Sequence, residues 1–263
     1  MMETRFSIPK LILFLILIIV VSCQSDDNGG ADDDDNPNLN VANQQPFGSS
    51  ANEFLSADDF TSMRIELAYP DGLRPTQQTI DLLIPFLEER LNKPDGITLV
   101  ESVIVPGEEP PYDINEIVDI EDNNRTVFNN GDELGVYIFF SDGNNANDQG
   151  NNVILGTAYR NTSLVIYEQT LLDIGNNSTS GVNRTLIETA TLRHEFGHLF
   201  GLINAGTPLQ SDHEDPNNSR HCIVEGCLMQ ASTMTNIFNT SDINNIADFD
   251  PLCIQDLQSN GGL

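Results

Sequence analysis

All four histidines of this 263-residue chain stand in one short stretch, as His194, His198, His213 and His221. The first two belong to the run His194-Glu195-Phe196-Gly197-His198. On a helix, residues four apart lie one turn above each other, so both imidazoles face the same space. That spacing lets two rings share one Zn²⁺, with Glu195 beside them to handle the proton of the metal's water. The chemistry predicted is metal-assisted hydrolysis, provided that the chain supplies a third ligand and leaves a fourth position open.

A helix is predicted over roughly 184–202. Leu186, Leu192, Phe196, Leu199 and Phe200 cover its other faces, as expected of a helix running through a core. Gly201 follows His198 by three residues, where the helix must end if the chain is to turn back toward the metal.

The run His194-Glu195-x-x-His198-x-x-Gly201 resembles the metzincin zinc peptidases, whose pattern is HExxHxxGxxH followed by a methionine turn. The match breaks at Asn204, because an amide oxygen is a poor zinc ligand. Downstream, His221-Cys222-Ile223-Val224-Glu225-Gly226-Cys227-Leu228-Met229 is similar to the archaemetzincin branch of that group, in which the third histidine is followed by Cys, four residues, Cys, one residue and Met.

The resemblance implies that residues 204–220 are a loop inserted before the third ligand. It makes His221 that ligand, Glu195 the catalytic base and Met229 the floor beneath the metal. His213 is the alternative third ligand, and Glu214 would serve if the fold were thermolysin-like. The resemblance further implies a metzincin-like α/β (α+β) fold, with a mixed twisted sheet, an active-site helix and an irregular C-terminal lobe. One catalytic Zn²⁺ is the implied cofactor and a polypeptide the implied partner. Val153–Tyr159 would lie where metzincins place the strand that pairs with substrate, with Gly156 and Ala158 allowing close approach of a backbone.

The cysteines depart from that family. Archaemetzincins hold a second, structural zinc with four cysteines, whereas the folded part here offers Cys222, Cys227 and Cys253. In an oxidising compartment three thiols suggest one disulfide of undetermined pairing and one cysteine left over; a three-cysteine metal site is the alternative.

The elements that must position this site read as an alternation of strands and helices. Met63–Tyr69 alternates as a strand stopped by Pro70-Asp71-Gly72. Residues 76–91 read as a helix interrupted at Pro85. Residues 97–105 read as a strand, 115–128 as a helix, 134–140 as a buried strand, and 153–159 with 163–167 as a further pair. A short final helix is expected near 250–258. The oxygen-rich run Ser141–Asp148 suits either a Ca²⁺ ion or a solvated turn.

At the N-terminus, Arg5 and Lys10 precede eleven apolar residues, Leu11–Val21, too few for a spanning helix of about 20. This layout predicts a secretory signal over residues 1–22. Val20-Val21-Ser22-Cys23 resembles the bacterial lipobox, which implies lipidation of Cys23 and membrane anchorage by that lipid. The acidic, apolar-poor residues 23–52 read as a disordered tether, leaving 53–263 as the catalytic domain. An acidic stretch directly after the cysteine resembles the surface-export signal of Bacteroidetes lipoproteins, implying an outer-membrane lipoprotein at the surface of the cell envelope.

With 11 Lys and Arg against 40 Asp and Glu, the net charge of −29 disfavours nucleic acid as a partner. The expected function is a zinc-dependent endopeptidase acting on extracellular proteins. The alternatives are a non-catalytic binding module on the same scaffold, and zinc storage or transport by the histidine cluster.

Overall fold

The computed structural model describes residues 41–150, 152–177, 183–231, 242–243 and 246–263. Five strands form one sheet: β1 (Ser62–Tyr69), β2 (Gly96–Val103), β3 (Glu133–Phe140), β4 (Gly156–Arg160) and β5 (Ser163–Ile166). Their order is β2-β1-β3-β5-β4. All neighbours run parallel except β4, which lies antiparallel to β5 at the edge. Six helices are described: α1 (Ala51–Leu55), α2 (Gln77–Glu88), α3 (Ile114–Asn124), α4 (Glu168–Asn177), α5 (Arg184–Leu199) and α6 (Pro251–Ser259). This is the mixed α/β architecture predicted.

β3 and β5 are apolar at nearly every position because both faces of the sheet are covered there, whereas the outer strands β2 and β4 are only half-buried or exposed. Met63, Ile65 and Leu67 of β1, with Val136 and Ile138 of β3, pack into a core shared with α2 and α5. The intervening Ala68, Tyr137 and Phe139 join Ile117 and Ile120 of α3 on the opposite face. The two-residue period of the strands thus builds both halves of the core at once.

The helix ends follow local chemistry. Thr76 caps α2 through its hydroxyl, and Pro85 sits inside that helix. Asp113 and Glu116 form a reciprocal capping box that starts α3. Asp250 caps α6. The structure shortens the helix expected over 115–128: Arg125 is already extended, and its guanidinium turns back to Glu121 and to the carbonyl of Val127.

The folded unit begins earlier than residue 53. Ser50 and Ala51 are buried, and Asn43 is fully buried. The amide of Asn43 donates to Asn129 Oδ1, Gly135 O and Thr162 Oγ1 at 2.8–3.0 Å and accepts from the Asn129 backbone N–H. Residues 41–52, which composition assigns to the end of a tether, therefore belong to the domain. The signal, Cys23 and the tether as far as residue 40 lie outside the described residues. Among the described residues no helix is long and apolar enough to cross a membrane.

Asn43→Ala leaves its buried partners unsatisfied and should cost on the order of 2 kcal/mol. Urea unfolding of the variant beside the wild type checks this. A change within about 0.5 kcal/mol would return residues 41–52 to the tether.

Candidate metal centre

Helix α5 carries His194, Glu195 and His198 through the middle of the protein. Asn183 caps its start by accepting the Leu186 N–H at 2.8 Å. Arg184 pairs with both Glu168 and Glu188, and Glu188 accepts from Thr76 N–H and Thr79 Oγ1–H on the α2 side. These links fix the helix in rotation as well as position. At its other end Gly201 takes φ +72°, followed by Ile203 and Asn204 at +53° and +59°, and the chain reverses. A side chain on Gly201 would meet Ala51 Cβ and Thr207 N at 2.6 Å, so glycine is required there.

Residues 204–220, expected as an insertion, are tied down by short contacts. Glu214 pairs with Cys222 in an isolated bridge, and Ile223 N–H donates to His213 O at 2.9 Å. Cys222 N–H donates to Met229 O at 2.8 Å. The neighbouring side chains of His221 and Cys222 serve different groups. His221 joins the imidazoles of α5, whereas Cys222 enters a buried thiol cluster.

One ligand atom from each of His194, His198 and His221 lies within 4.8 Å of the others. The ring centroids stand 4.9, 5.4 and 5.2 Å apart. His194 Nδ1–H donates to the Leu228 carbonyl at 2.8 Å and His221 Nδ1–H to the Ser219 carbonyl at 3.0 Å, leaving each Nε2 lone pair free. His198 Nδ1 is buried without a partner among the described residues. Burial pushes His194 down to about 4, and burial together with its cationic and imidazole neighbours pushes His198 well below its usual value. Neutral imidazoles aimed at one point are the donor set that Zn²⁺ takes.

Glu195 is buried against β4. Its Oε2 accepts the Ala158 N–H at 3.0 Å. Burial raises its pKa to about 8, partly offset by that hydrogen bond. A Cβ on Gly156 would lie 2.7 Å from Glu195 Cγ, so the glycine makes room for the carboxylate. The small residues of β4, expected to admit a substrate backbone, are already used by Glu195. On the other side of α5 a Cβ on Gly197 would run into Met229 Sδ, which places Met229 directly beneath the helix. The residues in the motif's variable positions give no sign of this.

His213 lies in a second group. Its Nε2 hydrogen-bonds Asp256 Oδ2 at 2.8 Å and its Nδ1 faces Cys222 Sγ at 3.3 Å, so neither nitrogen is free for the first site. Glu214 spends its carboxylate on Asn204, Ser219 and the Arg220 N–H. Of the three third-ligand candidates, the structure brings His221 alone to the pair on α5.

The disulfide expectation is not met. Cys222, Cys227 and Cys253 are free and buried. Cys227 and Cys253 have their sulfurs 3.6 Å apart, and a disulfide needs about 2.05 Å. His213, Cys222, Asp250 and Cys253 offer ligand atoms within 4.8 Å of one another. Hydrogen bonds from Cys227 and Cys253, with His213 beside it, push the Cys222 thiol strongly down, so that the cluster favours a thiolate. Burial lowers His213, but its bonds to Cys222 and Asp256 outweigh that and raise it. This is the chemistry of a closed sulfur and imidazole site, oriented by a carboxylate behind the histidine. Asp256 stands 43 positions from His213.

The Ca²⁺ expectation for 141–148 finds no support. Asp142 accepts from Tyr112 Oη, Asn145 holds Tyr167 Oη and the Asn147 N–H, and Asp148 accepts the Ile154 N–H. Among the described residues no group of three metal-type ligands forms in this loop.

The three imidazoles and Glu195 open into a cleft of about 430 Å³, bordered by β4, by Phe47 and by Ser219 to His221. Comparison of the sequence with protein-family models finds no match, and comparison with curated proteins finds none either. Among solved structures, the chain is similar to archaemetzincin from Methanopyrus kandleri, with a TM-score of 0.50 and 18% identity. The alignment covers 76% of this chain and 96% of that one. In fold, the chain is archaemetzincin-like.

Proposed function

We propose that the protein is a zinc-dependent endopeptidase. The observation that carries this reading is the convergence of His194, His198 and His221 beside the buried carboxylate of Glu195. The donor set fits Zn²⁺: three imidazole nitrogens, one of them on a ring whose other nitrogen is buried and unpartnered among the described residues. His194, His198 and His221 would hold it. When bound, it supplies a Lewis acid for a peptide carbonyl and lowers the pKa of water.

The chain's own residues do the rest. Leu228 and Ser219 carbonyls fix the tautomers of His194 and His221. Glu195, raised to about 8 and held on one side by Ala158 N–H, has a carboxylate basic enough to accept the proton of the attacking water near neutral pH. It then hands that proton to the leaving amine. Met229 under Gly197 and the carbonyl of neighbouring Leu228 tie the segment after His221 to α5.

A second, structural zinc fits the group His213, Cys222 and Cys253, with Cys227 Sγ 3.6 Å from Cys253 Sγ as the further thiol, because a closed site favours thiolates and imidazole over a carboxylate. Asp250 is then left to cap α6. The substrates of this reading are extracellular polypeptides, and nucleic acid is not a partner of a chain of charge −29. The lipobox-like Cys23 and the acidic run after it support anchorage by lipid at the bacterial outer surface.

A binding module without turnover would have no use for Glu195, whose burial against β4 is costly unless its proton affinity is needed. Glu195→Gln should keep the metal and lower peptide hydrolysis by at least about 10²-fold, measured on a casein or quenched-peptide assay. Equal turnover in both proteins would overturn the assignment. Alkylation under denaturing conditions with a chelator and no reductant should label Cys222, Cys227 and Cys253 individually in peptide mass spectra. A disulfide-linked pair would remove the second site.

A further inference from the structure

The last residue of the inserted loop, Arg220, is the place where this acidic protein leaves a cation open in its cleft. Of its eleven Lys and Arg, Arg5 and Lys10 precede residue 41. Arg74, Arg90, Arg125, Arg160 and Arg184 each hold a carboxylate. Lys93 donates to the carbonyls of Glu53, Ser56 and Phe60. Arg193 lies over Phe86 and reaches the Leu82 carbonyl. Arg64 is exposed on β1 and does not line the cleft. The guanidinium of Arg220 forms no ion pair and no side-chain hydrogen bond with another described residue.

Its position is nonetheless built. Arg220 has φ +63°, a left-handed backbone that costs a non-glycine residue on the order of 1 kcal/mol. The conformation is held by donation of its backbone N–H to Glu214 Oε1 at 2.8 Å. Glu214 is the carboxylate that feels the Arg220 charge, and its oxygens are committed to Asn204, Ser219 and that N–H. The Arg220 guanidinium lies over the Phe47 ring, 4.6 Å from its centroid, and Phe47 in turn packs edge-on against His198 at 6.1 Å. Both residues line the cleft that holds Glu195 and the three imidazoles. Stacking fixes the plane of a guanidinium while leaving its N–H edge free, which is the arrangement for bidentate capture of a carboxylate.

We propose that Arg220 sets substrate specificity by binding a carboxylate of the peptide in the cleft, either an Asp or Glu side chain close to the cleaved bond or a free C-terminus. This rests on the peptidase reading and narrows its substrate class. The chain's −29 charge repels acidic peptides at long range, and this local contact opposes that repulsion.

The test uses zinc-loaded protein and fluorescein-labelled eight-residue Ala/Gly peptides. One Glu, or Gln in its place, is moved through the positions, and each peptide is made with a free and an amidated C-terminus. Binding is read by anisotropy on Glu195→Gln protein, which does not consume the peptide, and cleavage on the wild type. A charge-assisted bidentate contact predicts at least about tenfold tighter binding of a carboxylate peptide than of its neutral counterpart. In Glu195→Gln/Arg220→Gln that ratio falls to within about twofold, and Arg220→Lys restores part of it.

The Glu/Gln arm and the free/amidated arm separate side chain from terminus as the source. A ratio near one in every arm overturns the proposal, as does a preference that survives Arg220→Gln. Cleavage by wild type without a carboxylate preference leaves the peptidase reading standing and removes this one. An Arg220-dependent preference in binding without any cleavage supports the carboxylate contact and removes the peptidase reading.

Discussion

The backbone pairing around Cys222 is the constraint on which both clusters depend. Cys222 N–H meets the Met229 carbonyl, Ile223 N–H meets the His213 carbonyl, and Glu214 bridges to Cys222. One short stretch therefore delivers His221 to the imidazoles of α5, Cys222 to the buried thiols and Met229 to the underside of Gly197. The Leu228 carbonyl within the same stretch orients His194. If this pairing were lost, the third imidazole, the thiol cluster and the support of the helix would go with it.

The site's electrostatics follow from burial. Imidazoles lose their protons when desolvated, and a carboxylate gains one. The same dry environment therefore keeps His194 and His198 as neutral donors and raises Glu195 into the range where it exchanges protons near neutral pH. One Ala158 N–H is the counterweight that stops Glu195 from rising further. In the second cluster the balance is reversed, because sulfur and imidazole share hydrogen bonds and the Asp256 carboxylate stands behind His213.

The parts of this arrangement written in local spacing are legible in the sequence. The helical i, i+4 spacing of His194 and His198 places both rings on one face, and the near-continuous apolar run of β3 is what a strand covered on both sides requires. Features that depend on distant partners stay hidden. Residues 41–52 are polar, and the burial of Asn43 depends on partners 86 to 119 positions away. Helix α4 follows β5 with only Tyr167 between them and no Gly or Pro to mark the boundary. The thiols read as disulfide material from compartment chemistry, whereas their neighbour His213 and its partner Asp256 meet only through the tertiary fold. Gly156 reads as space for substrate and proves to be space for Glu195.

Two separate groups of metal-type ligands built from one segment are the centre of this picture, and metal stoichiometry tests most directly whether each takes an ion. Plasma mass spectrometry on the zinc-loaded full chain should find two zinc ions in the wild type. His221→Ala should keep the ion held by the thiols, and His213→Ala the ion held by the imidazoles, leaving one in each. A wild type that binds no zinc or only one ion would contradict the two-site arrangement, and loss of a single ion with His213→Ala rather than His221→Ala would also remove the imidazole site.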